Sequence, residues 1–245
     1  MTRKRALAIT ILVLLAASVV TASIMLSGKR DDSPTVSEPL GTNAEGFEIS
    51  PVAAGEGGTT MGPDGVTPIG YPPTCEGAYA AAINYHRADQ TLDKNWEKTR
   101  MTLKYIAADQ RALNDSIEVS DELVKEHGLQ DYAVTDVRSL GIFKPLNCES
   151  GKSARVIVSD MTLATFPDSD PYIVIKAGPT EVIWKNGDWK LVPVNDPREG
   201  ETLNLQLQMK TIPAITSEII DALFTADDGR AISREGWMVV NNATR

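Results

Sequence analysis

Four patterns of apolar spacing follow one another along the chain. From Ala6 to Ser27 no residue is charged, and Leu, Ile, Val and Ala dominate. As a helix these residues would rise about 33 Å, roughly one bilayer core, which predicts a membrane span over 6–27. Residues 28–72 show no sustained period and are rich in Asp, Ser, Pro, Thr, Glu and Gly, a composition that predicts a disordered acidic linker. Helical spacing then takes over. Behind Thr74 as N-cap, Ala78, Ala81, Ala82 and Tyr85 recur at i, i+3, i+4 and i+7, a face of small side chains suited to close packing. A second helix, capped by Asp93, places Trp96, Leu103, Ile106 and Leu113 on one face. A third starts at Ser120, carries Leu123 and Val124, and ends at Gly128.

Beyond Gly128 the period becomes strand-like. The stretches 134–143, 154–166 and 172–184 are rich in β-branched and aromatic residues and are bounded by Pro145, Gly151, Pro167 and Pro171. Within Trp184-Lys185-Asn186-Gly187-Asp188-Trp189, Asn186 and Gly187 suit a two-residue type I′ turn, which sets Trp184 and Trp189 as a cross-strand pair. Later, Leu203, Leu205, Leu207 and Met209 alternate, residues 217–224 read as a short helix, and residues 237–240 form a last apolar segment. Helices followed by strands predict an α+β domain over 73–245.

Charge orders these segments. The net charge is −9, yet residues 1–30 carry five Lys/Arg and no acid, residues 31–72 carry seven acids and no base, and residues 73–245 carry 19 Lys/Arg against 26 Asp/Glu. The basic residues 1–5 predict a cytoplasmic N-terminus with everything after the span outside the cell membrane. Val20-Thr21-Ala22 leaves cleavage of an exported leader as the alternative, which would release the protein as a secreted one. An acidic domain repels phosphate backbones, so direct nucleic-acid binding is not expected.

Helices leading into a curved antiparallel sheet with a late hairpin at residues 184–191 resemble the nuclear-transport-factor-2-like cone, with about three helices packed on the sheet. Gly70-Tyr71-Pro72, Gly77-Ala78, the Ala81-to-Tyr85 run and the Gly236-to-Val240 ending are similar to an actinobacterial family of single-span membrane proteins of unknown function. That family is distantly similar to scaffold subunits of conjugative type IV secretion. The resemblance implies a membrane-anchored assembly protein with protein partners or self-association. Its alternative implication is an accessory module that binds a lipid or small ligand in an envelope transport complex. Those scaffolds have a longer cytoplasmic segment before the span than the five residues here.

Chemistry-bearing residues are sparse. Cys75 and Cys148 both fall in the exported part, where an even pair favours a disulfide; two buried thiols are the alternative. His86 and His127 stand near predicted helix ends without the spacing of a metal or nucleophile motif and read as surface or capping residues. Gly151-Lys152-Ser153 lacks the upstream glycine of a phosphate-binding loop and reads as a turn. Asp168-Ser169-Asp170 and Asp227-Asp228-Gly229 read as solvated acidic turns. The sequence therefore singles out no catalytic, cofactor-binding or metal-binding residue and predicts a non-enzymatic protein.

Overall fold

The structure, a computed structural model, describes residues 37–245 apart from 93–94, 128–134, 165–169, 195–196, 199, 208, 210, 212 and 244–245. Helix α1 (Cys75–Gln90) sets the arrangement. The Thr74 hydroxyl accepts from the Gly77 N–H at 3.0 Å, and Glu76 in the first turn and Arg87 in the last complement the helix dipole. Ala78, Ala80, Ala81 and Ala82 are all buried, so the backbone of α1 can lie close against the sheet. It crosses β4 (Thr135–Glu149), β5 (Ser153–Ala164) and β6 (Tyr172–Lys185).

Those three strands are the centre of a seven-stranded sheet in the order β1-β9-β4-β5-β6-β7, with β8 also on β6. The far half of β6 pairs with β7 (Asp188–Val192), and its near half pairs with β8 (Leu203–Leu207). Strand β1 (Glu48–Ile49) runs parallel to β9 (Met238–Val239), while the other pairings are antiparallel. At Gly141 strand β4 bends with a φ of +70°, and a Cβ there would meet Val240 and Ala243 at 2.9 Å. Only glycine combines that backbone with that approach.

The sheet is covered on both faces. Under α1 lies a core that includes Tyr71, Tyr79, Phe143, Val156, Val182 and Trp189. Helices α2 (Trp96–Ile106) and α3 (Gln110–His127) extend that layer. The opposite face buries Phe47, Ile157, Ile173, Ile175, Phe224 and Trp237 beneath α4 (Ser217–Leu223). The expected cone, with helices against one antiparallel sheet, is therefore corrected to a mixed sheet between two cores.

The expected disordered linker also needs correction where it is described. Residues 47–54 add β1 to the sheet and clasp the C-terminal segment: Asn241 N–H donates to Val52 O at 3.0 Å, and the Asn242 amide bonds both N–H and carbonyl of Ala54 at 2.9 and 2.8 Å. A small hairpin of β2 (Thr60–Met61) and β3 (Pro68–Ile69) follows. Backbone bonds to distant segments, not local periodicity, order this arm. The expected span at 6–27 lies outside the described residues, as do the Asp93 and Gly128 caps and Asp168-Ser169. Among the described residues no helix is long and apolar enough to cross a membrane, so the transmembrane helix and the single-pass membrane character are not supported.

One expected helix is divided. Ala107 turns extended and pairs in parallel with Leu191 of β7, so α2 ends at Ile106 and α3 begins at Gln110 instead of Ser120. The bonding of a strand edge outweighs helical continuity there.

Cys75, the first residue of α1, is disulfide-bonded to Cys148 near the end of β4, with Cα atoms 5.8 Å apart. The bridge spans 73 residues of sequence. In the loop-entropy account such a link stabilises by about 4 kcal/mol. Urea denaturation of the oxidised protein and of the Cys75→Ser/Cys148→Ser variant should differ by that amount. A difference below about 1 kcal/mol would show that the unlinked denatured chain is already confined.

Candidate functional site

Three polar constellations are built into this frame. In the first, His86 faces the sheet one turn from the end of α1. Its Nε2 lies 2.8 Å from Asp160 Oδ2 on β5, and its Nδ1 lies 2.8 Å from Thr180 Oγ1 on β6. Thr162 Oγ1 stands 3.2 Å from the other carboxylate oxygen. His86 is thus a buried partner of a buried acid, not the surface or capping residue expected. Hydroxyl, imidazole and carboxylate follow one another as in a nucleophile, base and orienter relay. However, Thr180 is 3% and Asp160 1% exposed, which leaves a substrate carbonyl no approach to the hydroxyl. What the arrangement does is satisfy polar groups that helix packing has taken from water. Asp89, just under one turn further along the same helix, is pushed above the usual carboxylate range by burial, with the Ser116 hydroxyl and His86 opposing the rise.

The second joins β5 to the chain entering β8. The Arg155 guanidinium reaches Glu201 through Nη2 at 2.6 Å and Nε at 3.3 Å, and reaches Glu181 at 3.4 Å. The Arg198 N–H donates to the same Glu201 carboxylate at 2.8 Å. Hydrogen bonding from Arg155 holds Glu201 below the usual glutamate range.

The third lies at the β6–β7 hairpin. Asn186 and Gly187 have φ of 55° and 80°, as a type I′ turn demands, and Trp184 pairs with Trp189 with ring centroids 5.4 Å apart. The buried Asp188 carboxylate accepts from the Gly70, Tyr71 and Trp189 N–H groups at 3.3, 3.2 and 2.8 Å. Trp189 Nε1 donates to Pro72 O at 2.8 Å, so the hairpin is tied to the approach of α1. Burial, and after it the Asp188 charge, drives the Tyr85 hydroxyl far above the ordinary tyrosine value.

From Asp188 the constellation opens outward. Lys190 Nζ lies 3.4 Å from Asp188 Oδ2, donates to Tyr105 O at 3.0 Å, and sits 4.1 Å from the Tyr105 ring centroid. Lys185 Nζ donates to Ala108 O at 2.7 Å. Between the end of α2 and the hairpin tip these groups border an open concavity of about 420 Å³, walled by Lys104, Tyr105, Ala108, Lys185, Asn186 and Lys190. It is lined by three cations, in a domain whose balance is acidic.

Four large apolar side chains are exposed on the β2–β3 hairpin and α2. Met61 and Val66 on the β2–β3 hairpin are 52% and 54% exposed, and Met101 and Tyr105 on α2 are 49% and 48%. The hairpin loop is seated on α2 through the Asp64 N–H, which donates to Thr102 Oγ1 at 3.0 Å. Tyr105 borders both the apolar surface and the cavity.

Of the residues singled out from sequence, Cys75 and Cys148 link the first turn of α1 to the end of β4, and Trp184, Asn186, Gly187 and Trp189 belong to the hairpin that carries part of the cavity wall. The His127 side chain lies outside the described residues. Gly151-Lys152-Ser153 occupies the β4–β5 turn, where Lys152 pairs with Glu149. In the acidic turn at Asp227-Asp228-Gly229, Asp228 is taken by Arg230 at 2.6 Å. Lys104 is far in sequence from Lys185 and Lys190, so no spacing pointed to the three together. Asp160 and Thr180 sat unremarked inside strands. No family model, curated protein or solved structure matches the chain.

His86→Ala should destabilise by about 3 kcal/mol, because it strips a buried carboxylate of its main partner. Replacing all three groups, as His86→Leu/Asp160→Leu/Thr180→Val, should cost less than the single change, since no charge is then left uncompensated. Urea unfolding of both variants checks the order. For Glu201 the folded pKa lies below the unfolded one, near 4.5. Its contribution is therefore fully present above that value and is lost as pH falls through the folded pKa. Glu201→Gln should lower stability at neutral pH and flatten the acid limb of the stability profile, followed by urea unfolding from neutral to acid pH.

Proposed function

We propose that the domain is a non-enzymatic binding module of an exported protein, and that it works by docking a protein partner on the face made by the β2–β3 hairpin, α2 and the β6–β7 tip. The observation that carries this reading is the set of four large apolar side chains, each about half exposed, on the β2–β3 hairpin and on α2, elements joined by the Asp64–Thr102 bond, with Tyr105 also walling the lysine-lined concavity. Isolated exposed apolar residues are ordinary, but grouped ones beside a cavity mark contact surfaces. The interior supports the same reading. Helix α1 fills the inner face of the sheet, and the acid–base network is sealed within that packing. Export is supported by the disulfide, which persists in oxidising compartments. A lipid chain is a poor occupant for the cavity, whose walls carry three lysines.

A photo-crosslinking residue in place of Met101 tests the reading in the cell that makes the protein. It should give a discrete adduct that is missing when the same residue replaces Glu218 on α4, and that disappears when Met61→Glu and Val66→Glu are added. Adducts of equal yield at both positions, or none at Met101, would remove the docking face.

A further inference from the structure

We infer that the lysine-walled cavity is an anion subsite of the docking face and receives carboxylate side chains of an acidic segment of the partner, flanked by apolar residues that cover Met101 and Tyr105. The inference rests on the docking reading and adds the chemistry of what docks.

The argument begins with the sign of the charge. Residues 73–245 have more acids than bases, yet three lysine side chains converge on one concavity, and none of the residues lining it carries a carboxylate. Asp188 offsets part of the Lys190 charge from behind the wall, at 3.4 Å, leaving the concavity positive. The cations are also held in place. Lys190 is only 9% exposed, with its ammonium fixed by the Tyr105 carbonyl, Asp188 and the Tyr105 ring; Lys185 is fixed by the Ala108 carbonyl. An ammonium has three donors. Lys185 gives one to Ala108 O, which leaves two for a ligand. Fixing the cations before binding removes much of the ordering cost that a flexible lysine otherwise incurs.

The Lys190 ammonium on the Tyr105 carbonyl in the last turn of α2 also caps that helix. Capping alone would be served equally well by exposed lysines without a concavity. A role limited to capping moves stability and not affinity, which the test separates. The partner's acid is read as carboxylate, not a bare phosphate, because the concavity is walled in part by the half-exposed Tyr105, and the half-exposed Met101 lies one turn back from it on α2. A mixed acidic and apolar peptide matches both surfaces at once.

The probe is a fluorescein-labelled peptide alternating glutamate with leucine, its control the same peptide with glutamine for glutamate, and the protein is the full chain with its disulfide intact. Fluorescence anisotropy should show binding of the glutamate peptide that weakens about tenfold in Lys104→Gln/Lys185→Gln and is lost when salt rises past about 0.5 M. Thermal unfolding should show that both variant and parent are folded. A Lys185→Glu variant, at an exposed position, should abolish binding without disturbing the buried Lys190. Equal binding of the two peptides, with dependence on Met101→Ala/Val66→Ala but not on the lysines, would overturn the acidic subsite while keeping the docking face. Binding of neither peptide would overturn both. Displacement of the glutamate peptide by inorganic phosphate, with no effect of Met101→Ala/Val66→Ala on the peptide, would show a plain anion site and overturn the peptide assignment.

Discussion

Everything in this domain is arranged around how closely α1 approaches the sheet. Alanines at 78, 80, 81 and 82 are all buried, and no larger side chain could hold that position without lifting the helix. Such closeness takes polar groups out of water wherever the helix carries them; Asn84 and His86 are answered within the packing, whereas Tyr85 Oη and Asp89 Oδ1 stay buried without a hydrogen-bond partner among the described residues. Asn84 donates to Tyr71 Oη at 2.7 Å and to Ala80 O at 2.8 Å, and accepts from the Gly55 N–H at 2.7 Å; His86 is answered by Asp160 and Thr180. The result is a filled interior. The proposed docking face accordingly lies at the rim, where the β2–β3 hairpin, α2 and the β6–β7 tip come together.

The parts legible in the sequence were those whose cause is local. The Asn186-Gly187 turn fixes its own conformation, and the small-residue face of α1 shows as a period. What could not be read has a distant cause. Residues 47–71 look like a linker because Phe47, Val52, Ile69 and Tyr71 follow no period, yet all four are buried. Their order comes from a parallel pairing with β9 and from Asn241 and Asn242, about 190 residues away in the chain. The break between α2 and α3 has the same character. Nothing near Ala107 forbids a helix; the free edge of β7 takes its backbone instead, with the Ala108 N–H donating to Leu191 O at 2.9 Å.

That edge closure bears on how the protein can associate. A bare strand edge invites another strand. Here the connector between α2 and α3 lies along β7, so the outer edge near Leu191 is already occupied. The same connector supplies Ala107 and Ala108 to the cavity wall and the Ala108 carbonyl to Lys185. Covering the edge and shaping the concavity are one structural event, and the lysines gather there because the topology brings positions 104, 185 and 190 to one rim.

The burial of Lys190 is the sharper point. A lysine removed from water needs compensation, and this one draws it from a carbonyl, a ring face and a carboxylate that is itself engaged by three backbone N–H groups. Those N–H donors already disperse much of the Asp188 charge, so Asp188 is a weaker counter-ion to Lys190 than a bare carboxylate would be. Lys104 and Lys185 stand at the same wall. A cation compensated this incompletely, held rigid and placed beside a cavity in an otherwise acidic domain, gains most when an anion arrives from outside. The same geometry disfavours a cationic or neutral occupant, which would leave the lysines less hydrated and no better paired. The anion selectivity proposed for the rim rests on the hydrogen bonds that build the hairpin, since the N–H groups that fix Asp188 also limit how far it can neutralise Lys190.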